Sequence, residues 1–172
     1  IMEDLSRRDF TINAMAYSKK TNLIDPFGGK LDLEKKMIKT VGNPEERFKE
    51  DYLRILRAIR FSTELGFSIE ENTFESGKKY AKYILSISQE RIREEFFKIL
   101  LSDTPSNGIR SLEKIGALEI ILPELVETID FDQKTPHHER NLYEHTLCVL
   151  DRVPAILDLR LAALFHDIGK LH

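Results

Sequence analysis

The sequence holds a single cysteine, Cys148, which excludes an internal disulfide framework and a cysteine-rich zinc module. It has no apolar run near the ~20 residues of a membrane span. It has no leader-like N-terminal segment, no internal repeat and no low-complexity linker. Basic charge is not in excess either: 26 Lys and Arg stand against 29 Asp and Glu, for a net charge of −3. Nucleic-acid-binding domains are often net basic. Any such role here has to come from local clusters of arginine and lysine. These absences predict a reduced, cytoplasmic protein with no membrane partner. What is present is a globular composition, 41% hydrophobic and 32% charged, with ample material for a core. The 172 residues suffice for one ordinary domain or two small ones. Ile1 at one end and Lys170-Leu171-His172 at the other read as cuts through something larger.

Along the chain the pattern changes once. Residues up to 43 mix short strand-like runs, Ala14 to Tyr17 and Leu23 to Asp25, with the turn Lys19-Lys20-Thr21-Asn22. A helical piece from Leu31 to Met37 and a third strand from Ile38 to Val41 follow. From Pro44 onward the signal is helical. Asn43 is a cap and Pro44 a first helical residue, and that helix is expected to run to Leu65 before Gly66. Further helices fit 70–85, 89–101, 106–115, 141–153 and 158–167. The irregular stretch 123–140 suggests a domain boundary. The fold class expected is mainly α, with a small α+β N-terminal portion.

The segment from Phe48 to Phe61 is the most informative. At about 100° per residue, Phe48, Tyr52, Ile55, Leu56 and Ile59 gather on one side as core. Asp51, Arg54, Arg57 and Arg60 recur every third residue along another side. One reading is a solvated face on which Glu50 and Asp51 pair with Arg54. The other is a phosphate and base site: guanidinium forks suit phosphate, and Asp51 with Arg54 offers an acceptor beside a donor. Arg7 and Arg8 form a second basic cluster. Asp9 could cap a helix starting at Phe10, with both arginines just before its N-terminus.

Read together, these segments resemble a known family. Arg7-Arg8-Asp9-Phe10-Thr11-Ile12-Asn13-Ala14, Asp25-Pro26-Phe27-Gly28-Gly29, Thr40-Val41-Gly42-Asn43-Pro44 and the Arg47 to Phe61 run stand in the order found in bacterial tRNA nucleotidyltransferases, the CCA-adding enzymes, and the related poly(A) polymerases. The resemblance covers residues 4–125. Glu90 to Phe96 is similar to a further family motif, a brace between domains. The resemblance implies that Asp51 and Arg54 bond the Watson–Crick edge of an incoming CTP or ATP. Arg8, Arg57 and Arg60 would bind its ribose and phosphates. The implied partner is the tRNA 3′ end, which receives CMP or AMP. The implied cofactor is Mg²⁺ in the intact head, because nucleotidyl transfer uses two metal ions held by carboxylates. The family's Asp-x-Asp pair belongs well upstream of Arg8. Gly28 to Glu34 and Asp130-Phe131-Asp132 are decoys for it, so no catalytic carboxylate is expected and these residues alone are expected to be inactive.

The last helices carry His145 and the doublet His166-Asp167, 21 residues on from His145. Each lies in an apolar helical run, which resembles the start of an HD domain. The resemblance makes His145, His166 and Asp167 an incomplete ligand set for a divalent transition metal. Lys170 could approach a phosphate, and His137 and His138 read as loop residues. The expected parts are then 1–43 as the remainder of a nucleotidyltransferase head, 44–125 as a nucleotide-selecting neck and helical RNA-binding body, and 126–172 as the beginning of an HD domain. Alternatives are a poly(A) polymerase of the same family, a metal-dependent HD phosphohydrolase with an RNA- or nucleotide-binding N-terminal part, or a helical RNA-binding scaffold.

Overall fold

A computed structural model describes residues 1–20, 22–129, 131 and 141–171. Asp130, Asp132, His137 and His138 lie outside the described residues. Helix α1 (Met2–Ser6) opens the chain, followed by a 3-10 turn over Thr11–Asn13. Strands β1 (Ala16–Ser18) and β2 (Asn22–Ile24) pair antiparallel, with Tyr17 opposite Leu23. Helix α2 (Gly29–Glu34) leads to β3 (Met37–Ile38). Asp32 of α2 is buried and accepts from the Thr11 hydroxyl at 2.7 Å, so the Gly28 to Glu34 segment serves as a connector. From there the chain is helical: α3 (Pro44–Glu50), α4 (Leu53–Leu65), α5 (Glu71–Tyr80), α6 (Gln89–Leu100), α7 (Pro105–Ile115), α8 (Leu118–Ile121), α9 (Pro123–Val126), α10 (Leu142–Arg152) and α11 (Leu157–Phe165). A short β4 (Ser68–Ile69) runs parallel to β3 and ties the two parts together. The result is mainly α with a small α+β portion at the N-terminus.

The expected single helix from Pro44 to Leu65 is two. Asn43 caps as its sequence implies, its side chain accepting from Glu45 N at 2.9 Å. Asp51 then leaves helical geometry, at φ −158° and ψ 106°, and its carboxylate accepts from Leu53 N at 3.1 Å. An aspartate can satisfy a nearby backbone donor itself, and that alternative ends α3 and starts α4. Past α4, Gly66 takes φ 65°, the left-handed turn that glycine adopts without a Cβ penalty.

Helix α4 is central because its apolar positions are buried on α6 and α7. Ile55, Leu56 and Ile59 are in a core that extends from Phe48 to Leu164 and includes Tyr143, Leu147 and Leu150 of α10. Removing a side chain such as Ile59 would cost about 2–5 kcal/mol. A second, smaller core of Phe10, Ile38 and Ala58 fastens the N-terminal portion to the other side of α4. Helix α7 approaches α4 and α6 closely at Gly108, where an added Cβ would fall 2.3 Å from Ile99 Cγ2 and 2.9 Å from Thr63 Oγ1. No described helix is long and apolar enough to cross a membrane.

Candidate nucleotide site and histidine cluster

The break between α3 and α4 opens into a cavity of about 270 Å³. Arg7, Arg8 and Asp9 come to it from the segment after α1, Asp51 from the break, Leu53, Arg54 and Arg57 from α4, and Arg91 from α6. Five guanidinium groups thus face two carboxylates, so the cavity favours an anion. The chain's negative total is compatible with this, because the positive field is local.

Bonds between distant segments hold the walls. Asp9 is buried; its Oδ1 accepts from Phe10 N at 3.0 Å and Asn13 Nδ2 at 2.8 Å. Its Oδ2 accepts from Arg57 Nε at 2.6 Å, which fixes that arginine against the wall. Arg54 donates from Nη1 to Arg47 O at 3.0 Å and Glu50 Oε2 at 2.5 Å, and from Nη2 to Arg7 O at 3.2 Å. Those bonds use three of its five N–H donors. Asp51 Oδ2 accepts from Arg91 Nη2 at 2.7 Å. Arg8 is more open, with an exposed pair to Asp4 at 3.0 Å.

Three sequence expectations change here. Asp51 and Arg54 share the cavity, but as a helix-terminating residue and a helix residue rather than as neighbours on one continuous face. Asp51 pairs with Arg91, not with Arg54. Arg7 and Arg8 follow α1, and the turn after Asp9 is a three-residue 3-10 turn rather than an α-helix. Arg60 does not line the cavity. It points to α6, with Nε 2.6 Å from Glu95 Oε2 and Nη1 3.2 Å from Glu64 Oε2, and its guanidinium lies 4.0 Å from the Phe61 ring. The Nε–H is not aligned on Glu95 Oε2, so this contact is an ion pair rather than a directed hydrogen bond. Glu95 is buried. It ties α6 to α4 within the helical part, whereas the 90–96 motif implied a brace between domains, and Arg91 of the same motif turns to the cavity. Sequence reasoning missed Arg91 because its partner, Asp51, lies 40 residues away.

The second constellation joins α10 to the end of α11. His145 Nε2 and His166 Nε2 are 3.4 Å apart. Asp167 Oδ2 is 3.6 Å from the first and 3.2 Å from the second. His166 Nδ1 lies 2.7 Å from Ala163 O, which assigns the proton to Nδ1 and leaves Nε2 as an acceptor facing the cluster. Lys170 Nζ donates to Asp167 Oδ2 at 2.7 Å. Burial pushes the Asp167 carboxyl upward, but the Lys170 hydrogen bond and the His166, Lys170 and His145 charges together hold it below its ordinary value of 3.8. One ligand atom from each of His145, His166 and Asp167 lies within 4.8 Å of the others. Two imidazole nitrogens and a carboxylate oxygen fit a divalent transition metal. Arg160, buried, fixes the two helices by donating to Leu150 O of α10 and, at 3.2 Å, to Pro154 O in the turn that follows it.

Comparison with known proteins supports the arrangement. The family described as "Poly A polymerase head domain" matches residues 1–39, and that described as "Probable RNA and SrmB- binding site of polymerase A" matches residues 66–128. The chain is 39% identical over 178 residues to a CCA-adding enzyme of Blochmanniella floridana, covering 99% of this chain and 43% of that protein. It is 37% identical to an A-adding tRNA nucleotidyltransferase of Deinococcus radiodurans, covering 98% and 40%. A crystal structure of the Bacillus stearothermophilus CCA-adding enzyme in complex with CTP superposes with a TM-score of 0.77 at 31% identity, over 97% of this chain and 39% of that one. The chain thus spans about two fifths of the length of these relatives. The cavity draws residues from both matched segments and from the helix between them, and on these grounds the chain belongs to the tRNA nucleotidyltransferase and poly(A) polymerase family.

Proposed function

We propose that the chain supplies the nucleotide-selecting and RNA-binding part of a tRNA nucleotidyltransferase. The intact reaction transfers CMP or AMP from CTP or ATP to the tRNA 3′ hydroxyl and releases pyrophosphate. The observation that carries this reading is the arginine cavity, in which a carboxylate acceptor and guanidinium donors stand together. Cytosine and adenine each present an amino donor beside a ring-nitrogen acceptor. Asp51 can accept from the amino group and Arg54 can donate to the ring nitrogen, an arrangement that guanine and uracil do not match. Arg57, oriented by Asp9, and the open Arg8 take the ribose and phosphates. Arg60 acts through Glu95 as a positioning residue. The division into a head remainder (1–43), a neck and body (44–125) and an HD-type part (126–172) belongs to this proposal, as does a cytoplasmic setting.

Two Mg²⁺ ions supply the phosphoryl chemistry of such a reaction when bound in an intact head. Asp9 and Asp51 do not fit as their ligands: both carboxylates already accept hydrogen bonds, and five guanidinium groups surround them. No metal step is assigned to these residues. His145, His166 and Asp167 do fit a divalent transition metal, and we read them as the HD-type site. That cluster is the observation favouring a second reading, a metal-dependent phosphohydrolase activity in the same protein.

Calorimetric titration of the chain with the four ribonucleoside triphosphates tests the first reading. CTP and ATP should bind more tightly than GTP and UTP, and Arg54→Ala should level the four. Equal affinities in the unsubstituted chain would overturn it.

A further inference from the structure

The face beside the cavity carries a feature that the nucleotide reading leaves unused. Tyr52, in the α3–α4 break, stacks on Tyr83 of the 3-10 turn after α5, with ring centroids 4.9 Å apart and planes 14° from parallel. Tyr80 joins them at 6.3 and 6.0 Å. Lys49 and Lys79 hold ammonium groups 5.4 Å from the Tyr80 ring, and Lys82 lies 5.3 Å from the Tyr83 ring. All three lysines are exposed. Tyr80 is buried and its hydroxyl donates to Glu45 at 2.9 Å, which explains it as structure. Tyr83 has no such explanation. It is 41% exposed, and its hydroxyl forms no hydrogen bond among the described residues. Its ring is backed by the Tyr52 ring and approached by one cation, Lys82.

We infer that this surface docks unpaired RNA. A base stacks on Tyr83 with Tyr52 behind it, and Lys82 and Lys49 take the flanking phosphates. Flat aromatic faces interleaved with cations suit single-stranded nucleic acid, because every base has a π-face and every linkage a charge. An acidic peptide would use the lysines but has no use for a parallel ring pair. Tyr52 follows Asp51 directly, so the surface begins where the cavity wall ends. A strand lying on it would be led toward the cavity. The inference rests on the reading that the chain handles RNA, although it concerns a different set of residues.

The chain contains no tryptophan, so Tyr83→Trp introduces a single fluorescent reporter. Titration with an unstructured RNA octamer should quench its emission. By fluorescence anisotropy of the labelled octamer, Tyr83→Ala should weaken binding by about 5- to 100-fold, while Tyr83→Phe retains it. Lys82→Gln should lower the slope of log affinity against log salt by about 0.7, one phosphate contact on a single strand. Octamer binding that is unchanged in Tyr83→Ala, or that leaves the tryptophan emission unaltered, overturns the inference while the family reading stands. Quenching by poly-glutamate but not by RNA assigns the surface to a protein partner and also overturns it. A chain that binds neither the octamer nor tRNA lacking its 3′ CCA overturns both.

Discussion

The arginine cavity and the histidine cluster are held in different ways. The cavity is assembled from segments up to 84 residues apart, Arg7 to Arg91, and each wall is tied to another by a bond that crosses the chain. Behind it, Arg60 and Glu95 clamp α4 to α6 with side chains 12% and 4% exposed. The cluster joins two neighbouring helices, and two of its ties reach only three residues, His166 to Ala163 and Lys170 to Asp167. A site for a highly charged anion needs its cations fixed before the ligand arrives, since guanidinium groups repel one another. On the proposed reading the histidine cluster is organised by its own carboxylate and would be completed by an ion.

The difference can be tested, beginning with the largest expected effect. Glu95→Ala removes one of the two carboxylate partners of the Arg60 guanidinium, Glu64 being the other, and should lower unfolding stability by about 1.5–3 kcal/mol in urea. The double change Arg60→Met with Glu95→Met should recover most of that loss. A Glu95→Ala chain as stable as the unsubstituted one would show that the cavity does not depend on the brace. The cluster should respond to its ion instead. His166→Ala should weaken Co²⁺ binding, followed by visible absorption, roughly tenfold or more. Lys170→Met should strengthen it, because the ammonium competes for Asp167 Oδ2.

Arg8→Ala should weaken CTP binding about tenfold, the worth of one charge-assisted hydrogen bond. Its urea midpoint should not move, since Arg8 is mostly exposed. A shifted midpoint would make Arg8 part of the scaffold and erase the contrast with Arg60. The smallest effect concerns acid. Asp167 has a lowered folded pKa, so its contribution is complete above the unfolded value near 3.8 and fades as pH falls through the lower folded value. The expected size is a few tenths of a kcal/mol, since the pair is near the surface. Stability curves of the chain and of Asp167→Asn should converge toward pH 2 and separate by pH 5.

Much of this architecture was legible in the residues. The apolar spacing identified Phe48, Tyr52, Ile55, Leu56 and Ile59 as core; Tyr52 is half-buried at the rim of that core, and the other four are 1% exposed or less. Asn43-Pro44 marked a helix start by local capping chemistry. The likeness of the last helices to the start of an HD domain anticipated the meeting of His145 and His166. The break at Asp51 was hidden because helical periodicity continues through it; only the competition of its carboxylate for Leu53 N interrupts the helix. The fate of each arginine was hidden too. Arg57 and Arg60 are equivalent on a wheel, and carboxylates from Asp9 and Glu95 in other segments decide which one faces the cavity.

The close approach at Gly108 has a consequence for genetics. Any side chain there presses on Thr63, whose hydroxyl bonds Ile59 O within the helix that carries Arg54 and Arg57. A screen scored on nucleotide retention would therefore rank position 108 among the ligand contacts, although it does not line the cavity. Suppressors of such alleles should arise at Ile99 or Thr63, as smaller residues that restore room, and not among the arginines.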